Sequence, residues 1–387
     1  MKSTYTIRAY KIALTIICLL TIQACASSGA LQVARDQFRN GSTESALHTL
    51  SEADVSNRDR LLLYLDKGLV YQAAERYADS VLAFESALKL VEELDYFSVR
   101  DQTTSLVSSD WAIRYSGESS ERLWIHTFQM INYLMLDQAQ SAAVEARRAV
   151  AVIDEHGDTL KQDLFTRYLM ALSFEAAGQR DSAMVEYRKL EGDHDLSIPA
   201  PLKNNERELI LLFATGFIQP KLPGNILIDV DARLAFPYYP ETFESQPSID
   251  IEANGVSLAF ERIDTDLLSV SRRALERRGK AVAARQALRL AAKYNLAEQI
   301  SEEDAVAGGL AKLFLLAIEQ ADTRSWETLP AHLSIVRVLV PADGNNVTVT
   351  LNDTDRFYDS VYRVEVPVSF DNSNRNFRLI RVGISDS

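Results

Sequence analysis

The side chains best suited to metal binding in this chain of 387 residues are five histidines, and their spacing contains no metal-binding motif. They are His48, His126, His156, His194 and His332. None stands in an HxxxH or HExxH pattern, in which two imidazoles on one helix face bind the same zinc ion. Acidic residues surround two of them, at 154–158 and 193–195, but both clusters lie at predicted helix ends, where Asp and Gly serve as caps and turns. The sequence therefore predicts no metal site and no cofactor.

Motifs for nucleophilic or phosphate chemistry are also missing from the sequence. There is no G-x-S-x-G elbow for an exposed serine, no P-loop and no G-x-G-x-x-G loop. A glycosidase needs two carboxylates, and 54 acidic residues can always supply such a pair. The pair Gly308-Gly309 lies in an apolar helical pattern, where it favours a close helix crossing. We expect a protein that is not an enzyme, and a hydrolase with a carboxylate pair in the C-terminal half is the alternative.

The first residues of the chain are typical of a secretory signal. Three cations, Lys2, Arg8 and Lys11, precede an apolar run at 12–20, which is shorter than the roughly 20 residues of a membrane-spanning helix. Cys18 lies within that run. The segment has no acidic residue.

The end of this segment, Ile22-Gln-Ala-Cys25, resembles the lipobox of bacterial lipoproteins. The resemblance implies a signal peptide over 1–24, a lipid on Cys25 at the head of a tether over 25–30, and sorting to the outer membrane directed by Ala26. A lipid with two or three acyl chains would hold the protein on the periplasmic face of that membrane. The alternative is ordinary signal cleavage, which leaves Cys25 as a free thiol.

The charge of the chain argues against nucleic acid as a partner. The formal net charge is −13, and loss of the signal removes three cations and no anion, which leaves −16. A strongly acidic surface is repelled by phosphate backbones. We therefore expect an envelope protein as the partner and a membrane as the anchoring surface.

Small residues recur through residues 31–200 in a helical repeat. Each of four anchors, Ala46, Ser80, Ala142 and Ala183, is followed four and seven residues later by an apolar or small residue. Twelve residues before them stand Ala34, Gly68, Met130 and Ala171. This pattern resembles the tetratricopeptide repeat (TPR), in which small residues let the two helices of each pair cross closely. The resemblance implies an all-helical repeat domain over 31–200 with an insertion at 95–122, and a generic helical bundle is the alternative.

A wider resemblance is carried by the run Tyr115-Ser-Gly-Glu-Ser-Ser-Glu121 and by residues 303–312. It is similar to an uncharacterised family of bacterial TPR-containing lipoproteins, and it implies no known activity. The exposed polar residues that we expect to have a role are Tyr115, Glu121, Asn132, Glu145 and Arg147. Glu145 and Arg147 have an alternative role as bridges between neighbouring helices.

The second half, 201–387, is predicted to be an α+β domain with two groups of antiparallel strands and a β-rich module at about 326–387. A helix is predicted at 204–217. The alternating segments predict strands at 226–236, 248–252, 256–263, 331–340, 346–352, 360–370 and 376–384. Helices are predicted at 265–299 and 301–320, the latter opened by the capping box Ser301-x-x-Asp304.

Two surfaces are predicted to bind partners. In TPR proteins the first helix of each repeat lines a groove, and the residues of that groove here would be Leu62, Leu65, Leu69, Trp124, Ile131, Leu134 and Met135. Because an apolar groove is not left exposed to water, either a partner fills it or the chain fills it with helix 204–217 or with its C-terminal domain.

The second surface is a basic helix in an acidic protein. Its arginines are Arg272, Arg273, Arg277, Arg278, Arg285 and Arg289. They would dock on anionic lipid or an acidic partner, or pair with the acidic helical half of the same chain.

The function expected from all these features is a TPR scaffold for an envelope complex, in outer-membrane assembly or in the regulation of peptidoglycan synthesis. The alternative is a periplasmic hydrolase or a peptidoglycan-binding enzyme.

Overall fold

The computed structural model describes residues 29–100, 114–194, 196–203, 206–229, 232–241, 246–279, 321–341, 346–354, 359–368 and 374–382. Cys25, Arg285, Arg289 and the helix predicted at 301–320 lie outside these ranges. So do residues 101–113 of the insertion predicted at 95–122.

The N-terminal half is helical. Its helices are α1 (29–39), α2 (Thr43–Glu52), α3 (Arg60–Ala73), α4 (Tyr77–Arg100), α5 (Ser119–Met135), α6 (Ala139–His156), α7 (Leu164–Ala176) and α8 (Arg180–His194). A 3-10 helix, Gly157–Gln162, joins α6 to α7. Consecutive helices pack on each other, so the chain folds as a row of helical hairpins.

The four hairpins turn in the same way. Residues with positive φ close the first helix of each pair: Gly41 (75°), Glu75 (57°), Asp137 (58°) and Gly178 (74°). The next residue donates its backbone N–H to a carbonyl five positions back: Ser42 to Gln37, Arg76 to Tyr71, Gln138 to Tyr133 and Gln179 to Phe174, at 2.8–2.9 Å. This is the Schellman motif, which satisfies the last carbonyls of a helix. Each positive-φ residue stands five positions before a small-residue anchor, so the predicted repeat has a structural counterpart in every copy.

The helix crossing in the second hairpin shows why the anchors are small. A Cβ atom placed on Gly68 would lie 2.3 Å from the ring of Phe84, so the two helices approach closely only because Gly68 has no side chain. Ser80 donates its hydroxyl to the carbonyl oxygen of Gly68 (2.7 Å). The four anchors are all buried.

The C-terminal half is built mainly of strands. They are β1 (Arg207–Thr215), β2 (Leu222–Asp229), β3 (Ala232–Tyr238), β4 (Ser248–Ala253), β5 (Val256–Ser257), β6 (Phe260–Asp266), β7 (His332–Val340), β8 (Asn346–Thr354), β9 (Asp359–Pro367) and β10 (Arg375–Val382). A helix, α9, follows β6 over 267–279. The coarse layout is therefore α+β, with helices first and sheets second.

Two four-stranded sheets pack face to face. The central sheet has the order β10-β1-β7-β6, with β10 parallel to β1 and the other neighbours antiparallel. The outer sheet has the order β5-β4-β8-β9 and is antiparallel. One face of the central sheet shares a core with the helices, and its other face shares a second core with the outer sheet. The molecule thus has three layers: helices, central sheet and outer sheet.

The helix predicted at 204–217 is wrong, because this segment forms strand β1. Both faces of β1 are covered, so every residue from Glu208 to Thr215 is buried. A strand buried on both sides shows a continuous apolar run instead of an alternation, and such a run cannot be distinguished from a buried helix by its periodicity.

The strand predicted at 226–236 is also wrong in detail, because it is the hairpin of β2 and β3, in which Asp229 pairs with Ala232. The strand predicted at 256–263 is divided into β5 and β6. Strands β4, β7, β8, β9 and β10 confirm the remaining strand predictions to within three residues at each end. The helix predicted from 265 begins at 267, and the structure describes it to 279.

Candidate functional site

The side chains of the predicted groove lie inside the protein. Six of them are at most 5% exposed, and Met135 is half-buried. They belong to the core that the helices share with the central sheet. Of the two alternatives for the groove, the structure shows the one in which the chain fills it. The filling elements are the central sheet and the segment before β7, and not a helix at 204–217.

The segment 322–329, which we call the tryptophan segment, inserts between the helices. The ring of Trp326 is fully buried and meets Phe84 of α4 and Phe128 of α5 edge to face, with ring centroids 5.7 and 5.6 Å away. Its indole N–H donates to the hydroxyl of Thr328 (3.0 Å). Its backbone N–H donates to the carboxylate of Glu121 (2.8 Å). Trp326 therefore connects two helical hairpins to the chain that enters β7.

An ion pair and a hydrogen bond hold the tryptophan segment to α1 and α3. Arg35 of α1 lies 2.8 Å from the carboxylate of Asp66 and 2.9 Å from that of Glu327. Thr328 donates its hydroxyl to Asp66 (2.9 Å). Burial raises the pKa of Asp66, and Arg35 opposes that rise. These contacts bring residues from α1, α3 and the tryptophan segment to one buried point.

A second buried group surrounds Glu118, the residue that caps α5. Its carboxylate lies 2.7 Å from the ammonium of Lys221 and 2.9 Å from the guanidinium of Arg278. Burial alone would raise the pKa of Glu118, but the two cations outweigh it and lower the pKa to about 2. The pKa of Lys221 is raised, since its carboxylate partner outweighs the cost of burying the ammonium. The pair links α5 to the segment just before β2.

Tyr115 and Glu121, both predicted to act at the surface, are buried and hydrogen-bonded to each other. Glu121 also accepts the backbone N–H of Glu118 (3.0 Å), which completes the capping box of α5. Burial, together with the negative charge of Glu121, raises the pKa of Tyr115 well above its ordinary value. These residues therefore position elements of the fold, and their exposure was wrongly predicted.

The other three polar candidates also join elements. Asn132 is buried, donates to the hydroxyl of Ser80 (2.8 Å) and accepts from Gln72 (2.7 Å). Glu145 of α6 is buried and lies 2.7 Å from the ring of His126 in α5. Arg147 donates to Gln179 (2.6 Å) in the turn after α7. The bridging alternative for Glu145 and Arg147 agrees with this geometry.

A third charged group lies between the helices and the central sheet. Arg337 of β7 and Arg375 of β10 both bind the carboxylates of Glu208 and Glu175, at 2.6–3.3 Å. Tyr187 of α8 donates its hydroxyl to Glu175 (2.7 Å). The two cations outweigh the effect of burial and lower the pKa of Glu175.

The described part of the basic helix, α9, bonds to the body of the protein. Arg278 pairs with Glu118, and Arg277 donates to the carbonyl oxygen of His156. Arg272 donates to the carbonyl oxygen of Pro240 (2.7 Å), and Arg273 is exposed. At Arg278 the geometry favours the alternative in which this helix pairs with the acidic helical half.

Of these residues, Glu118 could be recognised from the sequence, whereas Lys221, Trp326 and Arg35 could not. Glu118 stands in the E-x-x-E pattern of a capping box, which was a usable sign of a helix start. Lys221, Trp326 and Arg35 were not predicted, because their charged partners are 31 to 292 positions away along the chain. A local sequence pattern carries no information on contacts between residues so far apart along the chain.

Two kinds of site are absent from the described residues. Among them, no cluster of three or more His, Cys, Asp or Glu side chains could bind a metal ion. Within the same ranges, no helix combines the length and the apolar character of a membrane-spanning segment.

Comparison with known proteins identifies no family. No family model matches the chain, and no curated protein matches it. A solved structure titled "Crystal structure of MamA protein" aligns with 45% of this chain and 98% of its own, at 12% identity and a TM-score of 0.23. A TM-score this low supports no argument about fold or function.

Proposed function

We propose that this protein is a lipoprotein anchored through Cys25 to the periplasmic face of the outer membrane, and that it acts as a TPR-like scaffold in an envelope complex without catalysing a reaction. Four hairpins that share one turn geometry and one set of small anchors support the repeat assignment. Repeats of this kind stack into a rigid array, on which equivalent positions line one face.

The observation that carries the proposal is a row of exposed aliphatic side chains at one repeat position. Leu82, Val144 and Val185 each stand two residues after a small anchor, and they are 60%, 43% and 50% exposed. Aliphatic residues scattered singly on a surface need no explanation, but three at equivalent positions of consecutive repeats form a row. Because the inner groove is filled by the chain itself, the partner surface is assigned to this row, which we call the aliphatic row.

Photo-crosslinking in cells tests the aliphatic row. A photo-reactive residue at Val144 is expected to give one abundant adduct with another envelope protein, identified by mass spectrometry. The same residue at Glu92, which is exposed on α4 outside the row, is the control. The substitution Val144→Asp should abolish capture and leave the melting temperature unchanged, because the side chain is exposed. Equal adducts at Val144 and Glu92 would contradict the proposal.

The lipid anchor has its own test. Cys25→Ser should move the protein from the membrane fraction to the soluble fraction, because the acyl chains are attached through that sulfur. Cys18→Ser is the matched control, since Cys18 lies in the segment that the proposal assigns to the signal. Membrane association that survives Cys25→Ser would refute the anchor without affecting the repeat assignment.

The non-catalytic role is tested by acidic substitutions. An enzyme would lose its function when one Asp or Glu in 225–387 is replaced by its amide. A scaffold should tolerate each of these changes at exposed positions such as Glu261 and Glu276. Loss of function in a stably folded variant of this kind would favour the hydrolase alternative.

A further inference from the structure

Strand β9 is a long edge strand of the outer sheet. It covers Asp359–Pro367 and pairs along its whole length with β8. Among the described strands it is the last in the order β5-β4-β8-β9. An edge strand presents a row of backbone N–H and C=O groups that can pair with another strand.

The side chains of β9 alternate between the two faces of the sheet. Val361, Arg363 and Glu365 are exposed on the outer face, and Val361 is 66% exposed. Tyr362, Val364 and Val366 point toward the core that the two sheets share. Apart from Pro367 at its end, the strand contains no proline, and no bulge interrupts its pairing with β8.

The sequence of β9 is complementary to itself in an antiparallel arrangement. If two copies of β9 pair about a two-fold axis at Val364, Arg363 of each copy faces Glu365 of the other. Tyr362 then faces Val366 on the inner face. Opposite charges directly across an antiparallel pair are stabilising, and like charges are destabilising. Thr348 of β8 donates to Glu365 (2.8 Å), which holds that carboxylate on the outer face.

Neighbouring registers lose this complementarity. A shift that centres the axis on Arg363 places the two arginines opposite each other, and an axis on Glu365 does the same with the two glutamates. In each register the side chains stay on their correct faces, so the charges distinguish between them. We propose that β9 is a self-association surface, which pairs with β9 of a second copy about Val364 and joins the two outer sheets into one.

Charge exchange tests this pairing in the full-length protein, purified in detergent and measured by sedimentation. The wild type should be a dimer. Arg363→Glu and Glu365→Arg should each raise the dissociation constant of the dimer by roughly tenfold or more, because each variant places like charges opposite each other twice. The double variant Arg363→Glu/Glu365→Arg should restore the dimer. Equal melting temperatures of all four proteins, measured at a concentration at which each is monomeric, show that the fold is intact.

A monomeric wild type at concentrations of about 100 μM would overturn the proposal, since such a dimer would be weaker than ordinary specific complexes. A double variant that stays as weak as the single variants would also overturn it, because it would show that these charges do not face each other. Neither outcome bears on the aliphatic row, which lies on the helices.

Disulfide trapping tests the register in cells. When Arg363→Cys and Glu365→Cys chains with different tags are expressed together, the two cysteines face each other at the roughly 5 Å Cα separation that a disulfide accepts. Two copies of the same variant place their cysteines on the order of 8 Å apart, which is too far. A mixed covalent dimer is therefore expected only on co-expression. Single variants control for Cys18 and Cys25, and equal crosslinking in them, or adducts with another protein, would overturn the proposal.

Discussion

The two faces of the central sheet differ in chemistry although the same strands form both. Toward the outer sheet, β1 and β7 present aliphatic and aromatic side chains, among them Leu211, Phe213 and Val338. Toward the helices, the same two strands present Glu208 and Arg337 together with apolar residues. The alternation of side chains along a strand allows this difference between neighbours in sequence.

The difference shows two ways of holding a layer in place. Apolar burial is non-directional, so it stabilises the sandwich of two sheets without specifying one partner for each side chain. A buried charge is costly unless its partner stands within hydrogen-bonding distance, so the helices can pack on the sheet in few arrangements. We therefore infer that the charged groups set the position of the helices, and that the apolar core supplies most of the stability of the sandwich.

The largest effect is expected from Trp326→Ala at the helical face. The substitution empties the space between Phe84 and Phe128 and should lower the free energy of unfolding by about 4 kcal/mol. Urea unfolding measures the loss. Leu339→Ala, on β7 at a 52% exposed position, is the control and should cost less than about 0.5 kcal/mol. Similar losses in the two variants would show that Trp326 does not hold the helices to the sheet.

Neighbouring residues on β7 compare the two faces directly. Arg337→Met leaves Glu208 and Glu175 with Arg375 as their remaining cation in the group, and it should cost about 3 kcal/mol. Val338→Ala, on the opposite face, removes two buried carbons and should cost about 2 kcal/mol.

The double variant Arg337→Met/Glu208→Gln then separates the two mechanisms. It should be more stable than the sum of its single losses predicts, because removing both partners leaves no unpaired charge. Strict additivity in urea unfolding would show that these two residues do not act as a pair.

The pH dependence of stability should also distinguish the charged contacts of the helices from the apolar core of the sandwich. Glu118 has its pKa lowered from 4.5 to about 2, so its ion pair with Lys221 stabilises the folded state fully above pH 4.5 and loses that effect as the pH falls toward 2. Glu118→Gln should cost about 2 kcal/mol at pH 7, and the difference from the wild type should shrink over that range. For Val338→Ala the difference should stay constant. A constant difference for Glu118→Gln would contradict the assigned ion pair.

The smallest effect is expected deep in the sandwich. Ile251→Val removes one buried methyl group and should cost about 1 kcal/mol, independent of pH. Thermal unfolding at pH 7 and pH 4 is the measurement. A clear pH dependence would mean that this core responds to the charged groups on the other face.

The helical half was the more predictable part. Its repeat depends on close helix crossings, which demand small residues at fixed spacing. The positive-φ residue of each turn stands five positions before the small anchor. Strands with one exposed face, such as β8 and β9, were predictable because the side chains along them alternate between apolar and polar. Strand β1 was not, because its two covered faces remove the alternation that identifies a strand.

The candidate site was predictable only in its residue types. Tyr115 and Glu121 were singled out, but as surface groups, whereas they are buried beside Trp326. The groove residues were correctly identified as apolar helix faces, and the C-terminal domain was one of the occupants considered, but the tryptophan segment was not singled out. Trp326, which inserts between the helices, is more than 200 positions along the chain from its partner Glu121. A local pattern carries no information on such a contact.

By itself the sequence determined the features that depend on neighbours along the chain: the helical repeat with its small anchors and the alternation of most strands. The tertiary structure decided which surfaces meet. It placed the central sheet and the tryptophan segment in the groove, and it paired Glu118 with Lys221 across 103 positions. The physical reason is that secondary structure follows from local sterics and periodicity, whereas the pairing of buried charges and rings depends on the path of the whole chain.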